Sequence, residues 1–207
     1  MKQCVIFCAG EFTGLAAPVA LGGMVIAADG GLVHTESLGL KPDIILGDFD
    51  SLGRIPAGAE VYPVEKDDTD SMLAIKKGLE AGCDHFLLYG ALDGPRVDHT
   101  MANFQALQYL ADHGARGWLI GKNQIVTAIK NSSIDFPAHC RGNLSLFCLG
   151  ADAEGVTIRG AKYELDAGTL TAGFPLGVSN QFTGRDAHVE VKNGSLLVIW
   201  DRENGIF

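Results

Sequence analysis

The strongest constraint on this chain is a change of rhythm partway along it. Up to about residue 125, short apolar runs alternate with helical stretches; from Asn143 onward short, often alternating strands follow one another with no helical period. The early runs are Cys4–Ala9, Met24–Ala28, Asp43–Leu46, Val61–Val64, Phe86–Tyr89 and Trp118–Ile120. Each is bounded by Gly, Pro or Asp and rich in Val, Ile and Leu, as strands buried on both faces are. Residues 68–81 open on acidic side chains, carry Lys76 and Lys77 in the later turns and stop at Gly82, which suits the helix dipole and a glycine stop. Residues 98–113 set Phe104, Leu107 and Ala111 on one stripe, with Asp98 as N-cap and Gly114 as stop. Such alternation predicts an α/β fold, a mostly parallel sheet flanked by helices.

The later runs are Leu144–Leu149, Gly155–Ile158, Lys162–Leu165, Val178–Phe182, His188–Val191 and Leu196–Trp200. Turn signals at Asp166-Ala167-Gly168, Gly173-Phe174-Pro175 and Lys192-Asn193-Gly194 separate them, which predicts an all-β sandwich or barrel. The expected organisation is an α/β domain over residues 1–125 and a β-sandwich domain over 126–207, with a transition near 122–142. A length of 207 residues allows two such cores.

Composition narrows the function. A formal charge of −9 argues against nucleic acid or an anionic membrane as partner, since both need a basic surface. It leaves a polyphosphate open, provided divalent metal sits between the two sets of negative charge. Cys4, Cys8, Cys83, Cys140 and Cys148 form no C-x-x-C and read as reduced thiols. The apolar run Cys4–Ala9 is too short for a signal-peptide core or a membrane span. A cytoplasmic enzyme is expected.

Four strand ends carry the chemistry. Leu46-Gly47-Asp48-Phe49-Asp50-Ser51 follows an apolar strand, at the carboxyl edge where open α/β sheets bind ligands. In extended chain, residues two apart point the same way, so Asp48 and Asp50 share a crevice. Two carboxylates about 5 Å apart repel by roughly 3 kcal/mol at an effective dielectric near 20, a penalty that Mg²⁺ removes. Asp67-Asp68-Thr69-Asp70 opens the next helix; one of the four serves as cap, and the surplus of acid favours a metal role for Asp70. Gly90 to His99 places a Gly-rich turn, Arg96 and a helix N-terminus together, a combination suited to phosphates. It lacks the G-K-[ST] ending of a Walker loop. Asp29-Gly30-Gly31 closes a fourth strand with a turn that lets backbone approach a ligand. Taken singly, each of these is also an ordinary polar turn or cap; their convergence on one sheet edge favours a site.

In order and spacing, Ala28-Asp29-Gly30-Gly31, Gly47-Asp48-Phe49-Asp50-Ser51, Lys66-Asp67-Asp68-Thr69-Asp70, Arg96-Val97-Asp98-His99 with Asn103, and Gly177-Val178-Ser179-Asn180 resemble the thiamine pyrophosphokinase family. The resemblance spans nearly the whole chain. It implies a homodimer that transfers the pyrophosphoryl group of ATP to the thiamine hydroxyl, giving thiamine diphosphate and AMP. By similarity Asp48, Asp50 and Asp70 would hold Mg²⁺ on the ATP phosphates. Arg96 and Asp98 would position phosphates and hydroxyl, with Asp98 a candidate proton acceptor. Asp29, Gly30, Asp50, Ser51, Lys66, Asp67, Thr69, His99 and Asn103 carry over as nucleotide-side positions. Ser179 and Asn180 of a partner subunit would face the thiamine pyrimidine, with Phe182 a candidate ring contact. The family's phosphate loop often has consecutive glycines where this chain reads Leu92-Asp93-Gly94-Pro95; Pro95 removes a donor and Asp93 adds negative charge. Two rival readings share these motifs: a pyrophosphokinase for another small alcohol, and a non-catalytic thiamine or nucleotide sensor.

Overall fold

The computed structural model describes residues 1–207. By internal contacts the chain divides into two units: Met1–Ala106 with Leu119–Lys122, and Leu107–Trp118 with Asn123–Phe207.

The first unit contains β1 (Gln3–Phe7), β2 (Met24–Ala28), α1 (Gly31–Ser37), β3 (Ile44–Gly47), a two-residue β4 (Glu60–Val61), α2 (Asp70–Glu80) and β5 (His85–Tyr89). These strands are parallel and ordered β5-β1-β2-β3-β4. Cys4 through Phe7 and Phe86 through Tyr89 are buried without alternation, the mark of strands covered on both faces. Helix α2 packs on β1, β2 and β3 and buries Ala74, Ile75 and Gly78. Helix α1, which the sequence pattern does not announce, lies on β1 and β2. Its first residue explains the second glycine of Asp29-Gly30-Gly31: a Cβ on Gly31 would run into the Phe7 carbonyl.

Helix α3 (Val97–Asp112) and β6 (Arg116–Ile120) are each divided between the two units. Because α3 begins at Val97, Asp98 lies in its first turn and is not the N-cap that the sequence pattern suggested.

The second unit holds β7 (Gln124–Lys130), β8 (Ser133–Phe136), β9 (Asn143–Cys148), β10 (Ala153–Arg159), β11 (Leu165–Leu170), β12 (Asn180–Gln181), β13 (Ala187–Glu190) and β14 (Ser195–Asp201). They form two antiparallel sets, β12-β9-β14-β7 and β11-β10-β13-β8. Phe136 anchors the core, with ring centroids of Phe182, Trp200 and Phe207 at 5.1, 5.3 and 5.4 Å. The expected fold class, a mostly parallel sheet with helices followed by antiparallel β structure, is the one observed.

Other local expectations change, among them the run Lys162–Leu165, of which only Leu165 lies in a strand, β11. The stretch read as a transition contains β7 and β8; Ile125 to Ile129 are buried in a row, and Thr127 is accommodated because its hydroxyl donates to the Gly117 carbonyl at 2.7 Å. Asp166-Ala167-Gly168 lies inside β11, not between strands. Ala167 takes φ 46° and the pairing with β10 slips there, so these residues make a bulge. The run Val178–Phe182 shortens to Asn180–Gln181. No helix is long and apolar enough to cross a membrane.

Candidate active site

Strands β1 and β5 lie side by side, while β2, the next strand after β1, lies on its other edge. The carboxyl ends of β1 and β5 therefore flank a topological switch point, where open sheets form a crevice. The two loops are laced together: Gly10 N–H donates to Gly90 O and Glu11 N–H to Asp93 O, both at 2.9 Å. Gly90 has φ +66°, and a Cβ there would strike the Cys8 carbonyl, so only glycine permits this approach. A cleft of about 550 Å³ opens here. Its charged lining is six aspartates, Asp29, Asp48, Asp50, Asp68, Asp70 and Asp93, against Lys66 and Arg96.

Asp29, Asp48 and Asp50 each offer a carboxylate oxygen within 4.8 Å of the others. Asp29 leaves β2 with φ 48°, and its amide is tied to Leu46 O at 2.8 Å. Ser51 Oγ donates to Asp29 Oδ2 at 2.6 Å, while Asp29 Oδ1 is buried with no hydrogen-bond partner. A buried, unpartnered anionic oxygen costs several kcal/mol unless a cation joins it. The donor set, hard carboxylate oxygens on converging chains, fits Mg²⁺ or another hard divalent ion. Asp48 and Asp50 converge by a different route from the extended chain expected. Phe49 between them takes φ 59° and buries its ring, and Asp50 N–H donates to Asp48 Oδ1 at 3.3 Å. A turn, not strand alternation, brings the two carboxylates together.

Asp70, expected alongside Asp48 and Asp50, stands outside this trio. Lys66 Nζ bridges it to Asp48, at 2.9 Å from Asp48 Oδ2 and 3.2 Å from Asp70 Oδ1. The second contact is an ion pair without hydrogen-bond alignment, so Asp70 Oδ1 is also a buried oxygen lacking a hydrogen bond. The Lys66 bond holds Asp48 below the usual carboxylate range. Burial pushes Asp70 upward, past the opposing pull of Lys66, and the charges of Asp48 and Asp29 add to the rise. Burial pulls Lys66 down, yet its pairing with the two carboxylates, Asp48 and Asp70, outweighs it and holds the ammonium above its ordinary value.

On the opposite wall, Arg96 and Asp98 are both largely exposed, 66% and 65%, and paired at 2.5 Å. That guanidinium keeps the Asp98 carboxyl below its ordinary range. His99 is exposed and lines the cleft. Asp93, the extra negative charge in the loop, accepts the Lys122 amide at 2.5 Å and is thereby engaged as a backbone clasp. Asn103 is buried with both ends of its amide in use: Oδ1 accepts from Ser71 Oγ at 2.8 Å, and Nδ2 donates to Ala91 O at 2.7 Å. Ser71 carries no motif signal beyond its place after Asp70, and sequence reasoning passed it over.

Of the other expected positions, Gly30 and Ser51 sit beside Asp29; a Cβ on Gly30 would approach Ala9 Cβ at 2.9 Å and Ser51 Oγ at 3.3 Å. Thr69 caps α2, its hydroxyl accepting from Met72 N–H at 3.2 Å. Asp68 pairs with Lys76 at 2.7 Å, and Asp67 is exposed and outside the cleft lining. Ser179, Asn180 and Phe182 belong to the second unit. Asn180 is buried, bonding Tyr163 N–H and Tyr163 O at 2.9 and 2.7 Å, and Phe182 packs on Phe136. Ser179 is exposed with φ 59°.

An acid-lined cleft at the switch point of a parallel sheet, in a chain whose second unit is antiparallel β, is the arrangement of an α/β enzyme with an added β domain. Comparison with known proteins places it more narrowly. The family model for the thiamin pyrophosphokinase catalytic domain matches residues 22–119, and that for the thiamin pyrophosphokinase vitamin B1 binding domain matches 131–198. Thiamine pyrophosphokinase of Bacillus subtilis (strain 168) is 29% identical over 183 residues, 84% of this chain and 85% of that protein. A crystal structure of the Bacillus subtilis thiamine pyrophosphokinase superposes with TM-score 0.82 at 25% identity, covering 96% of this chain and 98% of the other. Thiamin pyrophosphokinase from Candida albicans shares the fold at TM-score 0.75 and 15% identity, over 96% and 88% of the two chains. The chain belongs to the thiamin pyrophosphokinase family, whose members are pyrophosphotransferases.

Proposed function

We propose that this chain transfers the pyrophosphoryl group of ATP to the hydroxyl of thiamine, yielding thiamine diphosphate and AMP. The observation that carries the reading is the trio Asp29, Asp48 and Asp50, with carboxylate oxygens within 4.8 Å of one another and Asp29 Oδ1 buried and unpartnered, in a cleft where acid outnumbers base. A polyphosphate enters such a cleft only with divalent metal, and Asp29, Asp48 and Asp50 would hold it, with Asp70 the fourth carboxylate at hand. Bound Mg²⁺ would supply neutralisation of the phosphate oxygens against these carboxylates.

The remaining roles fall to the chain itself. Lys66 keeps Asp48 ionised and ready to ligate, because its ammonium sits against that carboxylate. Gly10 and Gly90 bring two backbones close enough to form one phosphate-facing wall. Arg96, exposed immediately before the first turn of a 16-residue helix, offers a guanidinium fork beside a positive helix end. Asp98, kept acidic by Arg96, suits orienting the hydroxyl by accepting its hydrogen bond better than removing its proton before attack. Phosphoryl transfer asks mainly for such alignment and charge compensation.

In the same proposal residues 1–125 are the catalytic part and 126–207 the thiamine-binding and dimerisation part of a cytoplasmic homodimer. The vitamin B1 binding match over 131–198 supports this division, and five free cysteines suit a reducing compartment. Ser179 would meet the pyrimidine of thiamine, while Asn180 and Phe182 shape the loop that presents it. Incubation with ATP, Mg²⁺ and thiamine, with mass spectrometry of both products, tests the reaction. AMP with thiamine diphosphate is expected; ADP, free pyrophosphate or no thiamine diphosphate overturns it.

A further inference from the structure

Two walls of the cleft come from separate stretches of chain. One carries Asp70 at the start of α2; the other is the loop from Gly90 to Arg96. A continuous run of side-chain bonds joins them. Thr69 Oγ1 and Ser71 Oγ are 3.0 Å apart, Ser71 Oγ donates to Asn103 Oδ1 at 2.8 Å, and Asn103 Nδ2 donates to Ala91 O at 2.7 Å. Thr100 Oγ1 adds a second tie from α3 to the loop, at 3.3 Å from Leu92 O. Helix α3 thus grips the loop directly and grips α2 through Ser71.

Capping does not account for Ser71. Thr69 already accepts the Met72 amide, so α2 is closed at its N-terminus without help. Nor is Asn103 a free nucleotide ligand, since both ends of its amide are committed. A fully satisfied bond network inside a protein fixes one arrangement of the groups it joins. Here those groups are a carboxylate on the metal side and a backbone segment on the phosphate side.

We propose that Ser71 is a positioning residue whose hydroxyl, acting through Asn103, sets the separation between Asp70 and the Gly90–Arg96 loop. Metal-side acid and phosphate-side cation then address one triphosphate together. This rests on the reaction proposed above. An ångström of play between such groups is costly to a displacement that depends on alignment.

The test is Ser71→Ala, with Ser71→Thr as the hydroxyl-retaining control, assayed by steady-state kinetics and thermal melting. S71A should lower kcat/KM for ATP by roughly tenfold, the worth of one lost hydrogen bond, with KM for thiamine unchanged. S71T should recover most of the loss. Adding Asn103→Ala to S71A should cost little more than Asn103→Ala alone, because both cut the same link. Unchanged ATP kinetics in a folded S71A protein, or a loss that S71T does not restore, overturns the proposal. If the wild-type protein makes no thiamine diphosphate, the reaction fails but the link does not. It is then judged by calorimetric binding of ATP with Mg²⁺, which S71A must weaken by a similar factor and S71T must not.

Discussion

Replacing Lys66 by methionine removes one positive charge from between two carboxylates while keeping the length of the stem. In the native protein Nζ lies 2.9 Å from Asp48 and 3.2 Å from Asp70, with the three side chains only 14%, 13% and 22% exposed. At an effective dielectric near 20 each contact is about 5 kcal/mol of gross attraction. Most of that offsets desolvation, so the loss on mutation is far smaller. Deleting one partner of a fully buried pair costs about 3–5 kcal/mol; these groups keep some water, and Asp70, already pushed up by burial, can take a proton. A destabilisation of about 2.5 kcal/mol follows. For a chain of this size that lowers Tm by roughly 5–10 °C. Magnesium should offset part of this loss. With the lysine gone, the carboxylates bind a divalent ion more tightly, and a tenfold gain in affinity adds about 1.4 kcal/mol at saturation. Thermal melts of both proteins, with chelator and with millimolar Mg²⁺, are the assay. Lys66→Met should melt well below wild type in chelator and gain more from Mg²⁺. A variant within a degree of wild type in chelator, or equal Mg²⁺ shifts in the two proteins, refutes the bridging role.

Asp29→Asn keeps an acceptor for Ser51 but removes a charge from the trio, so half-saturation by Mg²⁺ in the activity assay should rise about tenfold, roughly 1.4 kcal/mol of metal binding. An unchanged Mg²⁺ requirement would remove Asp29 from the site. Gly31→Ala forces a methyl into the Phe7 carbonyl and within 2.9 Å of Cys8 N, which should cost about 3 kcal/mol in urea unfolding; a wild-type midpoint would mean α1 does not lie so close to β1. Burial holds the Cys8 thiol up to about 12, against 9.0 in the open chain. The folded state therefore keeps a proton that the unfolded chain sheds. The resulting stability is intact below pH 9.0 and declines as pH rises toward 12, by about 1.4 kcal/mol per pH unit. Between pH 8 and 10.5 Cys8→Ala should lose roughly 2 kcal/mol less stability than wild type, and parallel pH curves for the two proteins would contradict this.

Strands covered on both faces were readable because nothing interrupts their apolar runs; Met24–Ala28 falls where composition alone puts it. Strand β7 is equally buried yet escaped notice, since Thr127 and Ala128 dilute the run and Thr127 is paired with a carbonyl that no local pattern reveals. Helix α1 spans seven residues and begins with a glycine, too short for a period to register. Asp166-Ala167-Gly168 has turn chemistry, and the structure spends it on a bulge instead of a strand break; residues that favour positive φ do not say which of the two they make.

The site shows the same division between what is local and what is not. Carboxylates at strand ends can be counted along the chain, so Asp48, Asp50 and Asp70 were visible from their spacing. Asp29 looked like an ordinary strand-ending Asp-Gly, because its standing depends on Ser51, 22 residues away, and on burial of one oxygen. Lys66 was assigned to the nucleotide by resemblance, and only folding shows it bridging Asp48 to Asp70. A sequence states which charges exist; topology decides which of them converge on one another and which share a lysine. In this cleft nearby acid exceeds nearby base, and the unpaired oxygens of Asp29 and Asp70 are the ones the proposed hard cation would satisfy.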